Sequence, residues 1–125
     1  RIKRSLSNRI LVEILPRTSI EAIKREALRH GLVPISDTLY YAGNFSRRDT
    51  IYRQIIEEIP RDIDVESFSK YLRRLLETKY GTRYRTVLNT LRNTLPYRIA
   101  LTKIKLETMK KRGLDFDYSI HIGIE

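Results

Sequence analysis

From Ile51 to Ile104 the apolar residues fall at helical spacing, and after Gly113 they fall at every second position. The first of four expected helices stacks Ile51, Ile55 and Ile59, with Ser46 as its cap, Asp49 three residues on, and Pro60 as its stop. The second follows Asp62 or Asp64, presents Val65, Phe68, Leu72 and Leu75, and ends at Gly81. Thr82 caps the third, whose stripe is Tyr84, Val87, Leu88, Leu91 and Leu95. Pro96 sits near the first turn of the fourth, where a missing N–H costs nothing, and this helix buries Tyr97, Leu101 and Ile104. The connections are short, so neighbouring helices run antiparallel and residues 46–113 predict a four-helix bundle.

The two ends follow other patterns. Leu114, Phe116, Tyr118, Ile120, Ile122 and Ile124 alternate with polar residues or glycine, which predicts a strand over 114–125. A lone strand needs a partner, either residues 9–15 or a strand of another subunit; the second is expected, making the strand an assembly device. Residues 9–15 place Ile10, Leu11, Ile14 and Leu15 on one helical face, although their β-branched content also fits a strand. Thr18 and Glu21 form a capping box for a helix running to about His30, with Ile20, Ile23 and Ala27 inward and Gly31 as its stop. Pro34 and the Gly43-Asn44 pair mark 32–45 as a connector with at most a helical turn. The expected fold class is mainly α and a single domain: a basic helix-turn-helix arm (1–31), the connector, the bundle and the terminal strand.

Composition narrows the chemistry. The chain of 125 residues has no cysteine and two histidines, His30 and His121, which rules out disulfides and thiolate zinc sites and leaves too few histidines for a histidine metal site. No cofactor is expected. No apolar run approaches a membrane span. A single Gln, one Met and abundant Arg, Ile, Glu and Tyr resemble a hyperthermophile's composition. The chain opens on Arg1, as a processed or trimmed product would.

Charge changes the picture most. Thirteen of the 25 basic residues lie between Lys70 and Arg112 against two acids, Glu77 and Glu107, while the whole chain carries +10. Solvated or ion-paired cations are the competing reading, but acids are too scarce there to pair thirteen cations. A polyanion is the partner that such a surface implies, and mostly Arg side chains suit bidentate phosphate contact. Thr78, Thr82, Thr86, Thr90, Thr94, Asn89 and Asn93 are interleaved as further phosphate donors. No base-reading code is present, so sequence-independent backbone binding is expected. Several of the eight tyrosines fall on inward helical stripes, so core packing is expected before base stacking.

Gly113-Leu114-Asp115 followed by Glu125 resembles the opening of the PD-(D/E)xK nuclease motif, but the lysine after Glu125 is absent. An inactive nuclease-derived fragment is therefore one alternative, and no catalytic activity is expected. Residues 62–103, an Asp-capped helix and two basic helices, resemble the core-binding domain of tyrosine recombinases, so a regulatory or recombination DNA-binding module is another. The order of a basic helical arm and a bundle, with this charge layout, resembles the major coat proteins of rod-shaped and filamentous archaeal viruses. That resemblance implies a virion protein assembled in the host cytoplasm, which dimerises with itself or a related coat protein, polymerises into a helical filament, and wraps double-stranded DNA in A form. It also implies that the arm cations Arg1, Lys3, Arg4, Arg9, Arg17, Lys24, Arg25 and Arg29 face phosphates, with Arg83, Arg85, Arg92 and Lys103 of the bundle completing the channel.

Overall fold

In the computed structural model, which describes residues 8–47 and 52–123, Arg9–Pro16 is a strand, β1, and not the expected helix. Ile10, Val12 and Ile14 are fully buried and alternate with Leu11, Glu13 and Leu15. The helical grouping would have left Val12 off the apolar stripe, whereas a pleated strand buries all three β-branched side chains on one face. The partner that settles the matter comes from the other end of the chain. Strand β4 (Phe116–Ile122) lies antiparallel to β1, in a register running from Ile10 opposite Ile122 to Pro16 opposite Phe116. The terminal strand therefore finds its partner within its own chain, which corrects the expected pairing across subunits.

The expected connector is also sheet. Strand β2 (Val33–Pro34) and strand β3 (Leu39–Asn44) are joined by a turn in which the Ser36 hydroxyl accepts the N–H groups of Thr38 and Leu39 at 3.2 and 3.0 Å. Gly43 is not a turn residue but sits within β3 at φ 110°, where the register against β1 shifts between Arg9 and Leu11. A bulge of this kind needs a backbone that only glycine adopts freely.

Helix α1 (Ile20–Arg29) forms as expected, with its cap one residue later: Ser19 Oγ accepts from the Ala22 N–H at 3.3 Å. Thr18 instead exchanges hydrogen bonds with the backbone of Asp115, tying the entrance of α1 to that of β4. At the other end Gly31, at φ 78°, lets the N–H of Leu32 reach back to the carbonyl of Ala27 at 2.9 Å, a Schellman stop.

The sheet order is β2-β3-β1-β4, with all neighbours antiparallel. Two strand–helix–strand units thus each skip over one intervening strand, the split βαβ or ferredoxin-like connectivity. One face of the sheet is covered: Val12, Ile14, Tyr40 and Phe116 pack with Ile23 and Ala27 of α1 and with Leu106 and Met109 of the last helix, α5 (Leu95–Lys111). The architecture is mixed α/β, which overturns the expected mainly α fold.

The chain divides into two units. This α/β unit is made of its two ends, through Asn44 and from Lys105, and the second unit is helical and spans Phe45–Ile104. The latter contains α2 (Arg53–Glu57), α3 (Val65–Tyr80), a 3-10 turn (Gly81–Arg83), α4 (Tyr84–Leu91) and the first part of α5. Its core takes Ile55, Ile59, Phe68, Leu72, Val87, Leu91, Tyr97 and Ile104 from the expected stripes and adds Ile56 and Leu76, which lie outside them, while the expected Leu75, Leu88 and Leu101 are only partly buried. Asp64 caps α3 by accepting from the Ser67 N–H at 2.7 Å. Thr82 lies in the 3-10 turn and caps nothing. Ser46 is not seen to cap the first helix: its N–H and that of Arg47 donate to the Asn93 carbonyl, both at 3.0 Å. Asp49 and Ile51 fall outside the described residues. The helices of the expected bundle thus exist, as a segment inserted between β3 and the end of α5.

Within the α/β unit, Glu26 of α1 joins the exit of α5. Its carboxylate, 14% exposed, accepts from Arg112 at 2.6 Å, with Arg29 at 3.6 Å and His30 at 3.5 Å. The hydrogen bond from Arg112 holds the Glu26 carboxyl below the usual carboxylate range, against a smaller opposing effect of burial. A depressed folded-state pKa stabilises above the unfolded value, near 4.3, and that stabilisation is lost as pH falls through the folded value. Glu26→Gln should lower the melting temperature by roughly 4–8 °C at neutral pH. The difference from the unaltered chain should close on acidification below about pH 4; a gap that persisted there would mean that the clamp is not ionic.

Candidate nucleic-acid interface

Between Ser67 and Ile104 nine basic residues face one acid, Glu77. The fold sorts them. Ser69, Lys70 and Arg73 of α3 line a groove of about 220 Å³ with Leu72, Leu88, Arg92 and Tyr97. Arg73 and Arg85 each place the guanidinium carbon 5.7 Å from the centre of the Tyr84 ring, and Arg85 Nε donates to the Tyr84 hydroxyl at 3.1 Å. That hydrogen bond, reinforced by the charges of Arg73 and Arg85, pulls the Tyr84 hydroxyl below its ordinary range.

The acids nearby do not neutralise these cations. Lys70 meets Glu66 at 3.2 Å and Arg73 meets Glu77 at 3.9 Å, all four side chains being exposed. Surface pairs of this type are worth about 0–1 kcal/mol and give way readily to a phosphate. Among the described residues Arg85 and Arg92 make no ion pair. Lys70, Arg73, Arg85 and Arg92 therefore form one cationic face along α3 and α4, with tyrosine rings between them. Arg83 is exposed in the turn joining these helices. Lys103 belongs elsewhere in the helical unit, to a groove of about 280 Å³ shared with Arg53 and Arg61 and floored by Ile56, Pro96 and Ile99. The residues expected from the sequence include Arg85 and Arg92 of this face but not Lys70 and Arg73, although a spacing of three residues on one helix is a usable signal.

The arm cations fare differently. Arg1, Lys3 and Arg4 lie outside the described residues. Arg9 is on β1, its guanidinium 5.1 Å from the Tyr41 ring centre. Arg17 binds Asp117 at 2.5 Å, Lys24 binds Asp37 at 2.7 Å and Arg29 lies beside Glu26. Only Arg25 of the described five has neither an acid nor a ring as partner. The expected helical arm is replaced by a strand and a helix of a folded unit, with most of its cations already engaged.

Several expected phosphate donors are committed to their own helices. Thr94, fully buried, donates to the Leu91 carbonyl at 2.7 Å, Thr90 to that of Thr86 at 3.3 Å, and the Asn93 amide to that of Asn89 at 3.2 Å. Tyr40 and Tyr97 are core, as expected, whereas Tyr71 is exposed. Asp115 stands before β4, and its backbone binds Thr18; Glu125 is outside the described residues. Ser119 Oγ and Glu13 Oε1 approach the same His121 nitrogen, Nε2, at 3.0 and 3.5 Å. A nucleophile relay needs the two ring nitrogens engaged separately, so these three form a polar cluster and not a triad. No group of three or more His, Cys, Asp or Glu side chains fit to hold a metal occurs among the described residues.

No family model, curated protein or solved structure matches the chain.

Proposed function

We propose that the protein binds double-stranded DNA through its phosphate backbone, without base readout, using the α3–α4 face of the helical unit. The observation that carries this reading is the grouping of Lys70, Arg73 and Arg92 about one groove, with Arg85 joined to Arg73 across the Tyr84 ring and only exposed, loosely paired acids beside them. Guanidinium groups grip phosphate in a bidentate manner, and each such grip releases a condensed counterion. Ferredoxin-like connectivity hosts many functions and contributes nothing to the assignment.

Coating of DNA along its length, as by the archaeal viral coat proteins, is one form that such binding takes; of the two features behind that resemblance, the charge layout remains and the helical arm does not. A regulatory or recombination module is the second reading. It is favoured by the folding of residues 62–103 as an Asp64-capped helix followed by two basic helices. Neither form requires the chain to catalyse a reaction.

The test is titration of two unrelated duplexes at several salt concentrations. Affinities should agree within about a hundredfold at equal salt, less than the gap between specific and non-specific sites, and should fall steeply as salt rises. Weak dependence on salt, or a larger preference for one duplex, would sink backbone binding. Stoichiometry at saturation separates a coat, which fills the duplex, from a module that occupies few sites.

A further inference from the structure

The sheet of the α/β unit has a second face, which no helix of that unit covers. Its composition follows from the register: Val33, Tyr41, Leu11 and His121 lie opposite one another across the four strands, one position off the inward row of Pro34, Tyr40, Val12 and Ile120, of which Tyr40 and Val12 are fully buried. The next row places Leu39 beside Glu13 and Ser119, with the N–H of Ile35 donating to the Leu39 carbonyl at 2.8 Å. Leu15 follows, opposite Asp117. Among the described residues, three of the most exposed large apolar side chains stand on this one face: Leu15 at 57%, Ile35 at 50% and Val33 at 47%. Scattered exposed apolar residues are ordinary, but a contiguous set on a sheet face marks a contact surface.

We propose that this face joins two copies of the chain in a symmetric dimer. Its charge selects the occupant. The chain as a whole carries +10, yet here two cations, Arg9 and Arg17, meet two acids, Glu13 and Asp117. All are engaged locally: Arg17 with Asp117 at 2.5 Å, Glu13 with His121 at 3.5 Å, and Arg9 over Tyr41. Among the described residues a polyanion finds no uncommitted cation here and does meet two carboxylates. A second copy of a strongly basic chain, by contrast, approaches cheaply through a face whose described charges balance. The apolar side chains concentrate toward β2 and β3, and the polar ones toward β4. A two-fold axis crossing the strands therefore stacks the apolar halves on each other and leaves Ser119 and His121 at the wet rim, the usual anatomy of an isologous contact.

The size of the face marks the contact as a weak one. Strands of 8, 2, 6 and 7 residues, at about 3.3 Å per residue and about 4.8 Å apart, present roughly 360 Å². That is less than half the roughly 800 Å² per partner of a standard interface, so the dimer is a transient one that fills only at high micromolar concentration.

Sedimentation equilibrium of the full chain, without nucleic acid and up to high micromolar concentration, tests this. Dimer formation is expected, and Val33→Lys with Ile35→Lys should raise the dissociation constant at least about tenfold by adding like charges to both partners. Both sites are exposed, so the fold, followed by circular dichroism, should persist. Leu28→Lys is the control: Leu28 is equally exposed but lies on α1, in the layer on the other side of the sheet. A chain that stays monomeric overturns the proposal, as does equal weakening by Leu28→Lys. So does a monomer in which the Val33 and Ile35 changes abolish binding of a single-stranded oligonucleotide, since the face would then belong to nucleic acid.

Discussion

Ending the chain at Gly113 should unfold the α/β unit. Strand β4 supplies β1 with its outer partner over seven residue pairs, and Phe116 sits fully buried against the sheet's helices. Loss of the Phe116 side chain alone, as in Phe116→Ala, should cost about 3–5 kcal/mol. Tyr118 and Ile120 pack half-buried against the same cluster, and each adds about 1 kcal/mol, a part of the roughly 1.5–3 kcal/mol of a fully buried side chain. The Asp115 backbone, which holds Thr18 and the start of α1, goes with them. The sum reaches the lower end of an ordinary domain's stability, about 5–15 kcal/mol. Hydrogen exchange should report the result directly: amides of β1 and β3, protected in the full chain, should exchange freely in the truncated one. A truncated protein that kept β1 protected and merely failed to assemble would return β4 to the role of a device between subunits.

That the sequence of β1 reads as helix, and that of β4 correctly as strand, has a physical cause. In β4 every second residue is polar or small, so only a period of two fits. In β1 the outward positions hold Leu11 and Leu15, which remain partly exposed on the uncovered sheet face. Their apolar character fills in a helical stripe. The same uncovered face hides β3, where Tyr40 points into the core and Tyr41 away from it. A residue type that serves both sides erases alternation. Non-local pairing does the rest, for nothing near Ile10 in the chain announces Ile122.

Helices are legible where local chemistry suffices to define them, as with Asp64 before α3, Pro96 in the first turn of α5 and Gly31 after α1. The excess of basic residues over acids is legible too. Which of those residues are spent is not, because Arg17 meets Asp117 and Arg112 meets Glu26 across most of the chain. A count of charges along a sequence sees only neighbours such as Lys70 and Glu66, and these are the pairs that matter least.

Reversing four charges at once, Lys70→Glu, Arg73→Glu, Arg85→Glu and Arg92→Glu, should all but abolish binding to duplex DNA. Removing one cation from a phosphate takes about 0.9 from the slope of log affinity against log salt, so four account for a slope near 3.6. Measured against about 1 M salt, where this counterion contribution vanishes, that slope is worth roughly a thousandfold in affinity at about 0.15 M, and reversal adds repulsion to the loss. The affinity at physiological salt should therefore fall by roughly a thousandfold or more, with the residual slope shallower by about three or four. The helical unit should stay folded, since the four changes surrender only exposed ion pairs and the contacts of Arg73 and Arg85 with Tyr84, and the buried stripe of Phe68, Leu72, Val87 and Leu91 is untouched. Neutralising Arg9, Arg17, Lys24, Arg25 and Arg29 together provides the contrast. Most of these are already held by Asp117, Asp37, Glu26 or the Tyr41 ring, so affinity should change by less than about tenfold and the slope by about one, the share of Arg25. If the second set abolished binding and the first did not, the DNA would lie against the α/β unit and the α3–α4 groove would be a solvated basic face.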